Sequence, residues 1–510
     1  MATSDSDRIE AVAMSSSARD EEQAHQLAAA IEHHAKDSSS SSSSDPYLVA
    51  FSADHHDATN PLDWRTGKKW MVTDVLSATG FNRIMVSTIM APALPTIARE
   101  FHMNPTEAAM SMSIYLLATA LGPLVIGPLS EVHGRQVVLH GSSVWFLVWN
   151  VLCGFARTKE TLIAARFLAG FGASAIYALG AGVLGDVWRP EQRGRSLGIY
   201  LLIPLLGAAV GPIIGGFIAM RSDWRWMFWS TSIFQAAMIF ASFFCFPETY
   251  GPLILRRRAR QLRAETGNPR YYTLGERLDG TRSPLALVWR AVSRPARLLL
   301  FHPIIQVVSV KSAVDYGILY IVLSTFSELW MRQYGQSVEI SALHYLVVSA
   351  AEIAGSQLGG YIIDHVYRRR QKRGAHVPES RLPYMIPFLV LGGGGMLMYG
   401  WAAQYKLHWA VVDVGVFIML FGQQLSGIPI SAYVIDSYGD HVSSAMGATQ
   451  FPRSLAAFLF PLFAPSMYRV LGYGWSNTIL SLGYLVISVP LTLLLWKYGA
   501  GLRQRAGSSY

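Results

Sequence analysis

Twelve windows of twenty or so mostly apolar residues run along the chain. They lie near 70–95, 107–129, 135–156, 160–184, 196–219 and 226–247, then near 303–329, 340–363, 383–404, 408–434, 443–468 and 474–497. Each is long enough to cross a hydrocarbon core of about 30 Å as a helix. The alternation of period two that marks membrane strands is absent from them, and Gly and Pro inside such windows are tolerated where neighbouring helices satisfy the backbone. Polar gaps between windows are short, except for 248–302 with its basic run "LRRRARQLRAETGNPRYY". The pattern predicts an all-α polytopic membrane protein of twelve transmembrane helices, six on either side of a linker. Its expected segments are a disordered tail (1–66), a first six-helix half (67–250), a basic linker loop (251–302), a second half (303–498) and a short C-terminal tail (499–510).

Composition agrees: 51% of residues are hydrophobic and 15% charged, against about 25% charged in soluble domains. The first sixty residues differ. They are polar, hold the unbroken run Ser38 to Ser44, and bury too little apolar surface to fold alone. They also lack the basic and apolar regions of a cleaved signal peptide, so the first window is expected to serve as its own insertion signal. His33, His34, His55 and His56 read as part of this solvated tail rather than as a metal cluster. Cys153 and Cys245 fall inside apolar windows and read as small hydrophobes. With no disulfide framework, zinc spacing or phosphate-binding loop visible, no metal and no cofactor are expected.

Charge supplies orientation. The pre-helix stretch, the even-numbered loops and the end of the chain carry 27 Lys and Arg, the odd-numbered loops 8. By the positive-inside rule both termini are expected in the cytoplasm, in a multi-pass protein of the plasma membrane. The net charge of +9 then reflects topology and anionic lipid rather than nucleic acid. The arginines at 256–263 read as an anchor along the cytoplasmic membrane surface.

One spacing occurs twice. In "GPLSEVHGRQ", Gly127, Glu131 and Arg135 follow one another by four; in "GYIIDHVYR", Gly360, Asp364 and Arg368 repeat this 233 residues later. Each copy falls between the second and third window of its half, so the halves are an internal duplication. Parallel six-helix repeats with a substrate site between them mark one large transporter architecture.

Several stretches carry a closer likeness: "NPLDW" (60–64), "APALP" (91–95), "GPLSEVHGRQ" (127–136), "RFLAGFGAS" (166–174), "DVWRPEQRGR" (186–195), "GAAVGPIIGG" (207–216), "DWRWMFW" (223–229) and "PETYGPLILRRRARQLRAETGNPRYY" (247–272). From about Asn60 onward the chain resembles the major facilitator superfamily, in particular its fungal twelve-helix drug:proton antiporters. The resemblance implies a conformational latch at Gly127, Glu131 and Arg135, with Asp186 as the acid that pairs with the arginine and Gly360, Asp364 and Arg368 as the second copy. It implies a proton-coupling role for Arg166 in the fourth helix and an antiporter motif at Gly207, Gly211, Pro212, Gly215 and Gly216. The spacing of these glycines would also make one smooth helix face for packing.

Charges inside the windows are costly in lipid and so point to function. Arg83, Asp315 and Glu352 each fall roughly 18–20 Å along their windows at 1.5 Å per residue, near the midplane. Lys311 and Asp315, four residues apart, can pair on one helix face, and Arg453 has Glu352 as a possible partner across the bundle. Asp315 and Glu352 are the candidates to carry an exchanged proton. Asn82, Arg83, Tyr177, Lys311, Tyr316, Tyr320, Phe326, Gln423, Gln424 and Arg453 fall on helices that line the cavity in this fold, and read together as an amphipathic pocket for a bulky organic molecule. The cationic Arg83 favours neutral or acidic cargo. The expected function is a proton-driven, monomeric exporter of hydrophobic organic compounds, drugs or fungal secondary metabolites; the rivals are a nutrient importer of the same fold and a membrane sensor or enzyme. No convergent catalytic groups support an enzyme.

Overall fold

The computed structural model describes residues 45–51, 57–279, 284–371, 378–438 and 442–507; the serine run, the four tail histidines and the side chains of Gly360, Asp364 and Arg368 lie outside the described residues. Among those described, ten helices are long and apolar enough to cross a membrane. Two details turn ten into twelve crossings. The helix Thr66–Thr88 spans 23 residues, but Lys68, Lys69, Asp74 and Arg83 lower its mean hydropathy. The last helix, Val442–Gly507, folds back at Gly472, whose φ of 72° lies in the left-handed region that glycine adopts without strain. It therefore supplies the eleventh and twelfth spans.

The other spans are Pro105–His133, Arg135–Gly154, Lys159–Val187, Pro190–Arg221, Trp226–Cys245, Pro303–Arg332, Val338–Gly359, Leu382–Gln404 and Trp409–Ser437. The fourth and eighth are each built of two helices, broken at Ser174 and at His344. An even number of crossings returns the twelfth span to the side from which the first starts, the tail side. The turns between spans one and two, three and four, and so on lie on the far side.

Local chemistry sets the boundaries. The first span ends at Thr88, short of the expected 95, and a 3-10 turn (Ala91–Ala93) and a short helix (Leu94–Glu100) follow. Pro92 and Pro95 cannot donate the backbone bonds that would continue it. The second span opens with a capping box: Asn104 accepts from the Glu107 N–H at 2.8 Å, and Glu107 accepts from the Asn104 N–H at 2.9 Å. The linker, expected as a loop, holds three helices, Gly251–Thr266, Leu274–Asp279 and Pro284–Phe301. Arg256, Arg257 and Arg258 are consecutive, but Leu255, Ala259 and Leu262 recur at helical spacing among the charges, which a count of charge alone overlooks. Residues 45–50 and Leu255–Gly280 belong to a compact unit of their own. There Tyr272 donates its N–H to Tyr47 O at 3.0 Å and accepts from Val49 N–H at 2.9 Å.

In the larger unit the fifth span packs directly on the backbone of the first. A Cβ added to Gly207 would lie 2.6 Å from Phe81 O, one added to Gly211 would lie 2.6 Å from Met85 O, and one on Gly215 would collide with Ile89 O. Thr88 Oγ1 closes the seam by donating to Ala208 O at 3.1 Å. Lipid gives no hydrophobic drive to helix association, so close contact of this kind is what holds spans together. Gly216 points the other way, toward Ala342 and Val338 of the second half.

This seam gives the first prediction. Gly211→Ala, which overpacks the contact, should cost about 1–3 kcal/mol and lower the melting temperature of the purified protein. Gly141→Ala and Gly394→Ala, where an added Cβ meets nothing within 4 Å, should be neutral or stabilising by about 0.5–1 kcal/mol. Equal melting temperatures for all three would refute the seam.

Candidate transport site

Three groups of polar residues interrupt the apolar bundle. The first is at the tail side, where Gly134, with φ +96°, turns the chain between spans two and three. Arg135 is buried there. Its Nε donates to Asp186 Oδ2 at 3.3 Å, and its Nη1 to Ser130 Oγ at 2.5 Å. Gly182 leaves room for the guanidinium: a Cβ there would lie 2.9 Å from it. Glu248, just past the sixth span, accepts the backbone N–H groups of Arg135 at 2.9 Å and Gln136 at 3.3 Å. A buried carboxylate thus caps the exposed donors of the third span at the positive end of its dipole. Glu131 is exposed, with no partner among the described residues. One turn before the helix end it points away from Arg135, so the acids around the arginine are Asp186 and Glu248. Glu248 lies in the quoted "PETYG" stretch, and its position at the rim of an apolar window was the available signal.

The second group lies inside the first half. Arg166 is fully buried, with Nη1 donating to Val86 O at 2.9 Å and Nη2 to Met112 O at 3.3 Å; its guanidinium sits 4.7 Å from the Tyr115 ring centroid. Arg83 Nη2 donates to Ser143 Oγ at 2.7 Å, and Tyr115 Oη donates to Arg83 O at 2.8 Å. Asn82 Nδ2 donates to Thr231 O at 3.2 Å and Gln235 Oε1 at 3.1 Å. These side chains tie span one to spans two, three, four and six. Arg83 and Asn82, expected to line a cavity, instead face the packed interior of their half, because neighbouring spans enclose the first on both of those faces.

The third group lies at mid-depth in the second half, on spans seven, eight, ten and eleven. Lys311 Nζ donates to Asp315 Oδ2 at 2.5 Å and to Ser426 Oγ at 3.1 Å. The Arg453 guanidinium lies over the Tyr316 ring, 3.3 Å from its centroid, and interacts electrostatically with Asp315 rather than pairing with Glu352. Glu352 is buried, and among the described residues no cation lies within ion-pair distance of it. Asp315 Oδ1, Arg453 Nε and Gln423 Nε2 here, and Tyr484 Oη on the twelfth span, have no hydrogen-bond partner among the described residues. Tyr316 and Tyr320 stand 6.3 Å apart on one face, and Gln424 packs against Gly355. Phe326 is buried away in an aromatic cluster with Trp330 and Tyr345. Across from this group, Tyr177 is 40% exposed although it lies mid-way along the fourth span. The halves meet beside it, where Thr119 Oγ1 and Ser454 Oγ lie 3.4 Å apart.

At the far side one ion pair joins the two halves, and a second group of charges pairs within the first half. Arg221, ending the fifth span, bonds Glu339 of the second half at 2.8 Å. In the "DWRWMFW" stretch, Trp224 Nε1 and Arg225 Nη2 both donate to Glu100, at 2.6 and 2.7 Å.

Glu248→Gln leaves one N-terminal cap donor of the third span poorly matched, and should lower stability by about 1–3 kcal/mol, the cost of an unsatisfied buried group. Glu131→Gln, on the exposed face, should change it by less than about 0.5 kcal/mol. Thermal melts of the two purified variants check the assignment; the reverse order would overturn it.

Comparison with known proteins agrees with this architecture. A family model described as Major Facilitator Superfamily matches residues 76–461. A protein named probable efflux pump mfs2, from Aspergillus flavus, is 53% identical over 424 residues, covering 83% of this chain and 100% of that one. Efflux pump vrtL of Penicillium aethiopicum is 36% identical over 462 residues, covering 90% and 91%. Among solved structures, the xylose transporter XylE from E. coli, in a partially occluded inward-open conformation, matches with a TM-score of 0.62 and 17% identity, over 84% of this chain and 99% of that one; this is a likeness of fold. Twelve crossings in two halves, with the family model spanning both, place the chain in the Major Facilitator Superfamily.

Proposed function

We propose that this protein is a proton-driven exporter of hydrophobic organic compounds, such as fungal secondary metabolites or drugs, working by alternating access as a monomer in the plasma membrane with both termini cytoplasmic. The reading is carried by the ionisable cluster Lys311, Asp315, Glu352 and Arg453 on the spans of one half, a costly arrangement in lipid that transport of charge explains. The names of the fungal relatives support the outward direction, and the excess of Lys and Arg on the tail side supports the orientation. The proton gradient is the energy source, with no further cofactor.

In this mechanism Asp315 or Glu352 carries the proton. Asp315 shares Lys311 with Ser426, so protonating the carboxyl frees the ammonium and changes the polarity offered to cargo. Cargo and proton then oppose one another through a coupling free energy, as exchange requires. Arg453, flat on Tyr316, takes the cationic role first expected of Arg83, and suits neutral or acidic aromatic cargo. Arg166 holds spans one, two and four in register, and Arg135 with Asp186 forms a latch that exists in one packing of the tail side.

In inside-out vesicles, an acid interior should drive accumulation of cargo from a chemically diverse panel, and a protonophore should abolish it without any need for ATP. Accumulation that requires ATP and survives the protonophore would sink the mechanism. Asp315→Asn or Glu352→Gln should remove gradient-driven accumulation while leaving cargo binding or downhill exchange; if both variants still concentrate cargo, neither residue is the carrier. Arg135→Ala should lower maximal rate with little change in cargo affinity, and a wild-type rate in well-folded protein would leave this loop no part in gating.

A further inference from the structure

A second buried pair of ionisable groups lies outside the cluster just described, near the far side of the second half. His344 sits at the break between the helices Val338–Leu343 and Tyr345–Gln371. Its Nδ1 lies 2.7 Å from Asp413 Oδ2 on the tenth span, and its Nε2 lies 3.0 Å from Gln336 Oε1. His344 is 8% exposed and Asp413 7%. Asp413 Oδ1 has no hydrogen-bond partner. The imidazole stacks on Trp330, with ring centroids 3.7 Å apart and planes within 10°, and meets the edges of Trp409 and Phe326.

We propose that His344 with Asp413 is a proton-binding site on the far side, and that its protonation favours closure of that side. An imidazolium donates from both nitrogens, matching the two oxygens that face it; a neutral ring has one N–H to donate. Stacking on an indole favours the same cationic form, and histidine is the side chain that ordinarily changes charge near neutral pH. The other charged and titratable groups on the packed elements are engaged or set apart. Glu328 pairs with Arg332 on the seventh span, Glu339 pairs with Arg221, and Tyr334 donates to Leu407 O. The His408 ring lies tilted against Trp409, centroids 5.2 Å apart, and Lys406 is exposed in the preceding turn.

The mechanical consequence follows from what His344 holds. The short helix Val338–Leu343 ends at His344, and through Glu339 to Arg221 and Ala342 against Gly216 it joins the second half to the far-side end of the fifth span, which the helix Tyr345–Gln371 also contacts. A charged His344–Asp413 bond fixes the base of that bridge to the tenth span and keeps the far side shut. In an exporter, acid outside would thus speed return of the emptied carrier. That consequence rests on the exporter reading; proton binding and closure do not.

Two measurements on the full chain test the proposal. Protonated imidazole quenches a stacked indole, so tryptophan fluorescence of the wild-type protein should fall through a sigmoidal step on acidification. His344→Gln should lack this step, and Asp413→Asn should keep it at more acidic pH. Secondly, spin labels at Arg157→Cys and Leu407→Cys, with Cys153 and Cys245 replaced, report the distance between the halves on the far side. From pH 8 to pH 5 the closed-to-open ratio should rise at least about fivefold, the lower end of ordinary allosteric coupling, and the rise should vanish in His344→Gln. Asp413→Asn serves for both measurements should His344→Gln fail to fold. An unchanged fluorescence step in His344→Gln, or in Asp413→Asn, would overturn the site, and an unchanged distance response in either would overturn the coupling. If vesicles show no proton-driven accumulation while both signals behave as expected, the exporter reading fails and this inference stands.

Discussion

A hydrocarbon slab withholds water from every polar group inside it, so each buried charge must be satisfied by protein. The two halves meet this constraint differently. Arg166 and Arg83 in the first half are held by carbonyl and hydroxyl oxygens drawn from several spans, with no carboxylate at ion-pair distance among the described residues. A carbonyl already bonded within a helix has a second lone pair, so these arginines take acceptors that no other group needs. They act as rivets. The second half places Lys311 against Asp315 and leaves Asp315 Oδ1 and Arg453 Nε unpartnered. Arg83 Nε in the first half is unpartnered as well, so the difference lies in the carboxylates: the second half places Asp315 and Glu352 inside its spans, and a carboxylate is a group whose charge a proton can neutralise.

Such a division suits rigid-body motion. Alternating access needs one half to rock against the other around a fixed site. The glycine seam between spans one and five, reinforced by Thr88 on Ala208, makes the first half a body that moves as one piece. At the tail side Glu248 ties the start of the third span to the end of the sixth. At the far side the fifth span leaves its own half and touches the second, through Gly216 and Arg221. The same helix therefore carries both the contact that stiffens its half and the contact that closes the far side.

Much of the fold was legible in the sequence, because twenty-residue apolar windows and the duplicated spacing of Gly, an acid and Arg reflect local requirements: bilayer thickness and repetition of a half. The linker helices were hidden behind their charge, and the end of the first span behind prolines inside an apolar run. Contacts between distant residues were less legible. Neighbours such as Asn82 and Arg83 point about 100° apart on a helix, and which direction meets a cavity depends on how the other spans are arranged. Lys311 and Asp315 could be paired from spacing alone, whereas the approach of His344 to Asp413, 69 residues apart, needed the fold. Glu131 illustrates the limit: its spacing could be read, yet the helix leaves it exposed, while Asp186, the acid expected to pair with Arg135, lies 3.3 Å from it and Glu248 caps the backbone beside it.

The placement of the two ionisable groups of the second half along the membrane normal bears on how a proton would pass. Asp315 and Glu352 lie at mid-depth, and His344 with Asp413 lies at the far end of the same half, on spans eight and ten that also border the midplane cluster. Between them the packing is apolar and aromatic, with Phe326, Tyr345 and Tyr399 buried in contact. A hydrogen-bonded relay needs donors and acceptors in series, and the tyrosine hydroxyls of this layer form none: Tyr345 Oη donates to Leu323 O, and Tyr399 Oη has no hydrogen-bond partner among the described residues. The two sites are thus better coupled by movement of the short helix Val338–Leu343 than by a chain of proton hops. In the mechanism we propose, charge at the far end changes which packing is preferred, and that packing decides from which side the midplane acid is reached.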